Sequence, residues 1–293
     1  MHKILPFLVF VLFSGCTAPK AFFVTEQLTG YPVSYSVTDK SSFAQNTILD
    51  CGNGKTAEGT DLPCEYLFSG RYTIKLTASK GRKTSVHTEE IFVPAPEQCL
   101  LLMETSKGPM VIRLLDDTPL HRDNFIQLAE KGFYEGLLFH RVINGFMMQG
   151  GDPDTKNAAK DVRLGGGNPG YTVPAEIHQK VFHTKGALAA ARTGDDINPK
   201  KESSGSQFYI VHGRKTKAEE LYIFEGQKNI YYPADIVRKY ENEGGAPQLD
   251  GEYTVFGEVI QGLEVVDLIA TVPTDSYDRP KEDVKILKVT VLK

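Results

Sequence analysis

One stretch of the sequence sets a cation among apolar side chains: Phe139-His140-Arg141-Val142-Ile143-Asn144-Gly145-Phe146-Met147-Met148-Gln149-Gly150-Gly151-Asp152. Alternate side chains of a strand share a face. Phe139, Arg141 and Ile143 are therefore expected to point one way and His140 and Val142 the other, with Asn144-Gly145 bending the chain. A lone arginine is ordinarily a solvated surface charge. Arg141 lies instead beside two polarizable methionines and two phenylalanines, and a cation among such groups needs a reason. A guanidinium stays charged and holds several N–H donors in a fixed fork. The chemistry open to it is electrostatic, the donation of hydrogen bonds to an atom that gains electron density as it reacts.

Other chemistry-bearing patterns are weaker. Leu164-Gly165-Gly166-Gly167-Asn168-Pro169-Gly170 is glycine-rich but lacks the Lys-Ser/Thr and the strand-to-helix setting of a phosphate loop, so it reads as a surface loop. His178 and His183 lie five apart without an HExxH pattern, and no metal site is expected. Asp116-Asp117 and Asp195-Asp196 read as solvated turn charges. No cofactor is expected.

The elements that must position Arg141 run from about Cys99 to Lys293. Leu100 to Thr105 and Met110 to Leu115 form a hairpin about Lys107-Gly108-Pro109. Thr118-Pro119 starts a helix, Thr as N-cap and Pro in the first turn, whose apolar face is Phe125, Leu128 and Ala129 and whose end is Gly132. Strand patterns follow at Leu138 to Ile143, Phe146 to Gln149, Gly186 to Ala191, Gln207 to Val211, Thr254 to Ile260 and Ile286 to Leu292. Many strands, few helices and no βαβ rhythm predict a closed antiparallel barrel. Residues 213–247 read as an insertion with helical character packed on it. Pro233 to Tyr240 puts Ile236, Val237 and Tyr240 on one face.

The Phe139–Asp152 segment closely resembles the signature of cyclophilins, the barrel-shaped peptidyl-prolyl cis-trans isomerases. Gly186-Ala187-Leu188-Ala189-Ala190-Ala191-Arg192 with Ser204-Gly205-Ser206-Gln207-Phe208-Tyr209-Ile210 resembles the family's second motif. Leu249-Asp250-Gly251-Glu252-Tyr253-Thr254-Val255-Phe256-Gly257 resembles its third. The resemblance covers the second domain apart from the insertion and a loop at about 193–203. By matched position it implies Arg141 as the catalytic residue. Phe146, Met147, Tyr209 and Leu249 would line the pocket for the proline ring. Gln149 and Gln207 would fix Arg141 and the substrate backbone. Ala191 and Arg192 would form the edge along which the peptide lies, with Phe256 beneath the pocket and Tyr253 at its rim.

The implied chemistry is physically coherent. Delocalisation of the nitrogen lone pair gives a peptide bond a rotational barrier of roughly 18–20 kcal/mol. The two X-Pro isomers are close in energy, so only the barrier needs lowering. Twisting localises the lone pair, and a guanidinium donating to that nitrogen binds the twisted state better than the planar one. Four positions depart from the commonest family pattern. Tyr209 stands for Phe, Arg192 for Asn (adding positive charge at the edge), Tyr253 for His, and Gln248 for the Trp of cyclosporin-sensitive members, so weak cyclosporin binding is expected. Lying just before Leu249, the insertion is expected to flank the pocket and restrict substrates.

The N-terminal third is organised differently. Lys3 precedes an apolar run from Ile4 to Phe13, too short for the roughly 20 residues of a membrane span. Leu12-Phe13-Ser14-Gly15-Cys16 resembles a bacterial lipobox, which implies a signal peptide over 1–15 and lipidation of Cys16, with residues 16–30 a lipid-anchored tether. Residues 17–29 also fit an edge strand. Short alternating runs over 31–93 predict a small immunoglobulin-like β-sandwich. Asp50-Cys51-Gly52-Asn53-Gly54 with Tyr66 to Leu76 resembles a polycystic kidney disease (PKD) repeat, although Leu49 stands where an aromatic is usual. In an oxidising compartment Cys51 and Cys64, flanking a turn, are expected to pair, which leaves Cys99 over. Residues 94–98 read as a stiff linker.

The expected fold class is thus mainly β, a sandwich followed by a barrel with flanking helices. The net charge of −4 gives no footprint for nucleic acid. The expected partners are proline-containing polypeptides and, through the lipid, a membrane of the cell envelope facing the periplasm; the chain is expected to be monomeric. One rival reading is a non-catalytic binder of proline segments, or a chaperone, on the same scaffold. Intact Arg141, Phe146 and Gln207 favour catalysis, since a pure binder has less need of the cation. A third reading makes the sandwich the main functional unit, but no exposed aromatic cluster is evident in 31–93.

Overall fold

Alternation shapes the first third of the chain. In Val33–Asp39 the side chains of Val33, Tyr35 and Val37 are buried while those between them are less so. The computed structural model describes residues 17–28, 33–59, 62–66, 69–94, 98–160 and 162–292, which divide between residues 95 and 96 into two units. Residues 1–16, where the signal peptide and the lipidated Cys16 are expected, lie outside the described residues.

Among the described residues the first unit has seven strands: β1 (Phe23–Leu28), β2 (Val33–Asp39), β3 (Asn46–Asp50), β4 (Thr56–Glu58), β5 (Leu62–Tyr66), β6 (Gly70–Lys80) and β7 (Lys83–Val93). They form two antiparallel sheets, β1-β2-β5 and β4-β3-β6-β7. Phe23, Tyr35 and Tyr66 from one sheet share a core with Leu49, Ile74, Leu76 and Val93 from the other. Of the tether and edge-strand readings of residues 17–29, Phe23–Leu28 takes the strand, at the edge of its sheet. Strand β1 pairs with β2 from Phe23↔Asp39 to Leu28↔Ser34, because Phe23 buries its ring against His87. Cys51 and Cys64 are joined by a disulfide, and the Tyr66 hydroxyl donates to the Cys51 carbonyl at 2.8 Å. Closing a loop of this length stabilises a fold by about 2–3 kcal/mol.

The second unit opens with the hairpin β8 (Leu100–Thr105) and β9 (Gly108–Leu114), followed by helix α1 (Pro119–Glu130). The Thr118 hydroxyl does not cap α1; it lies 3.4 Å from the Leu115 carbonyl. The first-turn N–H groups of Leu120 and His121 donate instead to the Glu176 carboxylate, both at 3.0 Å. Then come β10 (Arg141–Ile143), β11 (Met147–Gly150), β12 (Thr172–Val173), β13 (Ala187–Ala190), β14 (Ser203–Ser204) and β15 (Phe208–Val211). The insertion supplies α2 (Ala218–Lys228) and α3 (Ala234–Asn242), and β16 (Val255–Gln261), α4 (Leu263–Ala270) and β17 (Ile286–Leu292) complete the unit.

Eight strands make one antiparallel sheet in the order β10-β11-β15-β13-β16-β9-β8-β17. Its two edges meet: Phe139 N–H donates to the Val284 carbonyl at 2.9 Å, Gly136 N–H to Ile286 at 2.8 Å, and Leu138 bridges Lys285. The sheet therefore curls closed around Met103, Ile112, Met148, Leu188, Phe208 and Ile210, with α1 and α4 covering apolar side chains of that core. Helix α4, which the sequence reading did not foresee, contributes Val265, Val266 and Ile269.

The predicted alternation from Phe139 holds only from Arg141, where β10 begins. Phe139 and Val142 both enter the core, because the segment before β10 is still hydrogen-bonded to the opposite edge.

Candidate active site

Cross-strand register assembles the site on the outer face of the barrel. Arg141 pairs with Gln149, Gln149 with Tyr209, and Tyr209 with Ala189, one row across β10, β11, β15 and β13. Their neighbours Val142, Met148, Ile210 and Leu188 point into the core. Above the row is a hollow of about 120 Å³ lined by Phe146, Met147, Tyr209, Leu249 and Tyr253, with Arg141, Gln149, Ala191 and Arg192 completing its rim. Met147 and Tyr209 are buried, and the Tyr253 ring stands edge-on to Tyr209 at 5.9 Å.

The Arg141 side chain is 45% exposed, and its Nε lies 3.4 Å from the Asp278 carboxylate. Gln149 Nε2 donates to Gln207 Oε1 at 2.9 Å. Gln207 Nε2 in turn donates to the carbonyls of Gly165 at 3.1 Å and Gly167 at 2.6 Å. The glycine-rich loop, read from sequence as surface only, thus anchors the residue that holds Gln149. At Gly151 a Cβ would overlap the Ser206 carbonyl, so only glycine lets β11 leave the sheet there.

Two sequence expectations change, and a third residue is located. Phe256 lies in the barrel core, 5.5 Å from the Phe125 ring, and does not line the hollow. Gln207 spends its amide on Gln149 and the loop carbonyls, and supports the site from behind. Arg192 does not leave free positive charge at the edge. Its side chain is 5% exposed, pairs with Asp195 and Glu252, donates to the Glu252 carbonyl at 3.1 Å, and covers the Tyr253 ring at 4.4 Å. Ala191 donates its N–H to the Gln207 carbonyl at 3.0 Å, and its own carbonyl accepts from Ser204 N–H at 2.8 Å.

Two larger hollows flank the central one. One, about 510 Å³, is lined by Gly166, Asn168, Tyr171, Thr172 and Glu202, and the other, about 630 Å³, by His140, Lys160, Arg163, Tyr277 and Arg279. Both include Gln149, and the second includes Arg141. An extended peptide crossing the central hollow has room for side chains on either side. Among the described residues no cluster of His, Cys, Asp and Glu is grouped to hold a metal.

The profile of the family described as cyclophilin type peptidyl-prolyl cis-trans isomerase/CLD matches residues 100–291. A peptidyl-prolyl cis-trans isomerase of Staphylococcus saprophyticus is 36% identical over 196 residues, 66% of this chain and 91% of that protein. One of Staphylococcus aureus is 35% identical over 193 residues, 65% of this chain and 90% of its own length. A solved cyclophilin-type isomerase of Cryptosporidium parvum aligns with a TM-score of 0.49 and 24% identity, covering 67% of this chain and 98% of that one. The chain belongs to the cyclophilin-type peptidyl-prolyl cis-trans isomerases, and the family match lies in the second unit.

The arrangement is compatible with that reaction without acid, base or covalent step. Arg141 lines the same hollow as Phe146, Met147 and Leu249, so a proline ring held there would bring its nitrogen near a guanidinium able to donate to it as the lone pair localises. Gln207→Leu is expected to lower kcat/KM about tenfold and stability by about 1–3 kcal/mol, since Gln149 and two carbonyls lose their partner. A coupled prolyl-isomerisation assay and urea unfolding of the variant measure both; unchanged kcat/KM would remove Gln207 from the site's support.

Proposed function

We propose that this isomerase works at a membrane of the cell envelope, anchored through acyl chains on Cys16, where it assists folding of proline-containing envelope proteins. The observation that carries this reading is the Cys51–Cys64 bridge in the first unit. Such bonds persist in oxidising compartments, which is where a lipobox ending at Cys16 would deliver the chain. Two or three acyl chains hold a protein on a membrane where one would not. The first unit is read as a PKD-like sandwich, which follows Cys16 and precedes the isomerase in the sequence. Its seven strands in two sheets and its core, shared between both, support that reading. The test is metabolic labelling with tritiated palmitate followed by membrane fractionation. Wild type is expected to be labelled and membrane-bound, and Cys16→Ala unlabelled. Label retained by Cys16→Ala, or wild type free of membrane, would overturn the anchor.

A further inference from the structure

The insertion reaches the proline hollow through buried polar groups. Asp250, next to the hollow's Leu249, is 1% exposed, and its carboxylate takes four hydrogen bonds. Oδ2 accepts from the hydroxyls of Tyr232 at 2.9 Å and Tyr240 at 2.6 Å, both from the insertion. Oδ1 accepts the His183 backbone N–H at 2.7 Å and meets His183 Nδ1 at 2.9 Å. On the far side of the imidazole, Nε2 lies 3.0 Å from the hydroxyl of Tyr209, the buried wall of the hollow. The two ring nitrogens thus bridge the Asp250 carboxylate and the Tyr209 hydroxyl, and the tautomer that donates from Nδ1 leaves Nε2 to accept from Tyr209.

The backbone follows the same route. Ala246 N–H donates to the His183 carbonyl at 2.8 Å and Lys185 N–H to Gly244 at 3.0 Å. Lys228 Nζ, at the end of α2, donates to the carbonyls of Gln248 at 2.5 Å and Asp250 at 2.9 Å, holding the turn that carries Leu249. A Cβ on Gly245 would overlap the Tyr240 ring, so α3 presses directly on this junction. None of the five side chains of the network is more than 5% exposed. A fully satisfied buried network is rigid, and it transmits a displaced member to the others.

We infer that the 213–247 insertion is a positioning element for the isomerase site: Tyr232 and Tyr240 orient Asp250, Asp250 orients His183, and His183 fixes Tyr209 against the substrate ring. The inference rests on the isomerase assignment and adds four positioning residues to it. It also gives a hydroxyl at position 209 a task that phenylalanine could not perform.

A double-mutant cycle tests it. Tyr240→Phe removes one hydroxyl some distance from the hollow. It is expected to lower kcat/KM on an X-Pro peptide about fivefold to tenfold, mostly through a higher KM, the order of loss that a small misplacement brings. In the Tyr209→Phe background the route is already cut, and adding Tyr240→Phe is expected to change kcat/KM by less than about twofold. Tyr232→Phe, on the same carboxylate oxygen, repeats the measurement should Tyr240→Phe fold poorly. Tyr222→Phe and Tyr231→Phe, at exposed insertion tyrosines, are expected to change nothing. A purely structural brace would give equal factors in both backgrounds, or lower stability with unchanged KM; either result overturns the inference. The methyl resonance of Met147, a hollow-lining residue, gives a readout free of turnover. It is expected to shift on Tyr240→Phe in the wild-type background only. An inactive wild type would count against the isomerase assignment, while this resonance would still decide the coupling.

Discussion

Arg141→Ala is expected to lower kcat/KM on an X-Pro peptide by about 10²–10³ while leaving the protein folded. Removing one well-placed donor from a site that stabilises developing charge has an effect of that order. Here the donor is Arg141, which lines the hollow with Phe146, Met147 and Leu249, whereas Arg192, the other cation of the lining, is occupied by Asp195 and Glu252. The fold should tolerate the change, because the Arg141 side chain is 45% exposed and its ion pair with Asp278 spans 3.4 Å. An exposed pair of this kind contributes little to stability. Arg141→Lys keeps the charge but loses the planar fork, so only partial recovery is expected. A coupled isomerisation assay on the form lacking residues 1–16, with near-UV circular dichroism as the folding control, measures all three proteins. Equal rates for wild type and Arg141→Ala would reject the mechanism.

Acid should destabilise the barrel through the neighbouring residue. His140 is 4% exposed, and burial lowers its pKa from 6.5 to about 4, with Asp152 opposing the shift and the Arg141 and Arg279 cations adding to it. Between those values the folded protein keeps the ring neutral while the unfolded chain takes up a proton. The unfolded state then binds more protons, so stability falls as pH drops. The contribution is complete above pH 6.5 and about 3 kcal/mol smaller by pH 4. Urea unfolding at pH 7 and pH 4 is expected to show this loss for wild type and a correspondingly smaller one for His140→Leu. Identical pH dependence in the two proteins would mean that His140 is not held neutral.

The sequence pattern revealed the local parts of this architecture and missed those that depend on distant partners. The hairpin from Leu100, the insertion helix near Tyr240 and the closing strand from Ile286 are written in alternation, turn residues or a helical stripe, and each forms close to the expected bounds. Helix α4 escaped because Leu263–Ala270 is apolar nearly throughout and too short for its period to stand out. The cap of α1 comes from Glu176, more than fifty residues away, so Thr118 looked sufficient. Strand β1 was ambiguous because only Phe23 in it is buried, and an edge strand needs no more.

The site shows the same division. Family resemblance brought together the residues around the hollow, and Phe256, expected beneath it, lies in the barrel core, where strand β16 turns its ring inward. The neutralisation of Arg192 depends on Asp195 and on Glu252, the latter sixty residues away. Asp250, His183, Tyr232 and Tyr240 are scattered over the chain, and nothing in their spacing announces that they meet. The adjacency of Asp250 to Leu249 was the one available hint.

The row Arg141–Gln149–Tyr209–Ala189 ties reactivity to the hydrogen-bond ladder of four adjoining strands. The spacing along the row between the cation and Tyr209 is then inherited from strand geometry. The connections that lean on the row, the insertion through His183 and the glycine-rich loop through Gln207, tune a spacing they do not create, and the barrel becomes a fixed engine with adjustable collars.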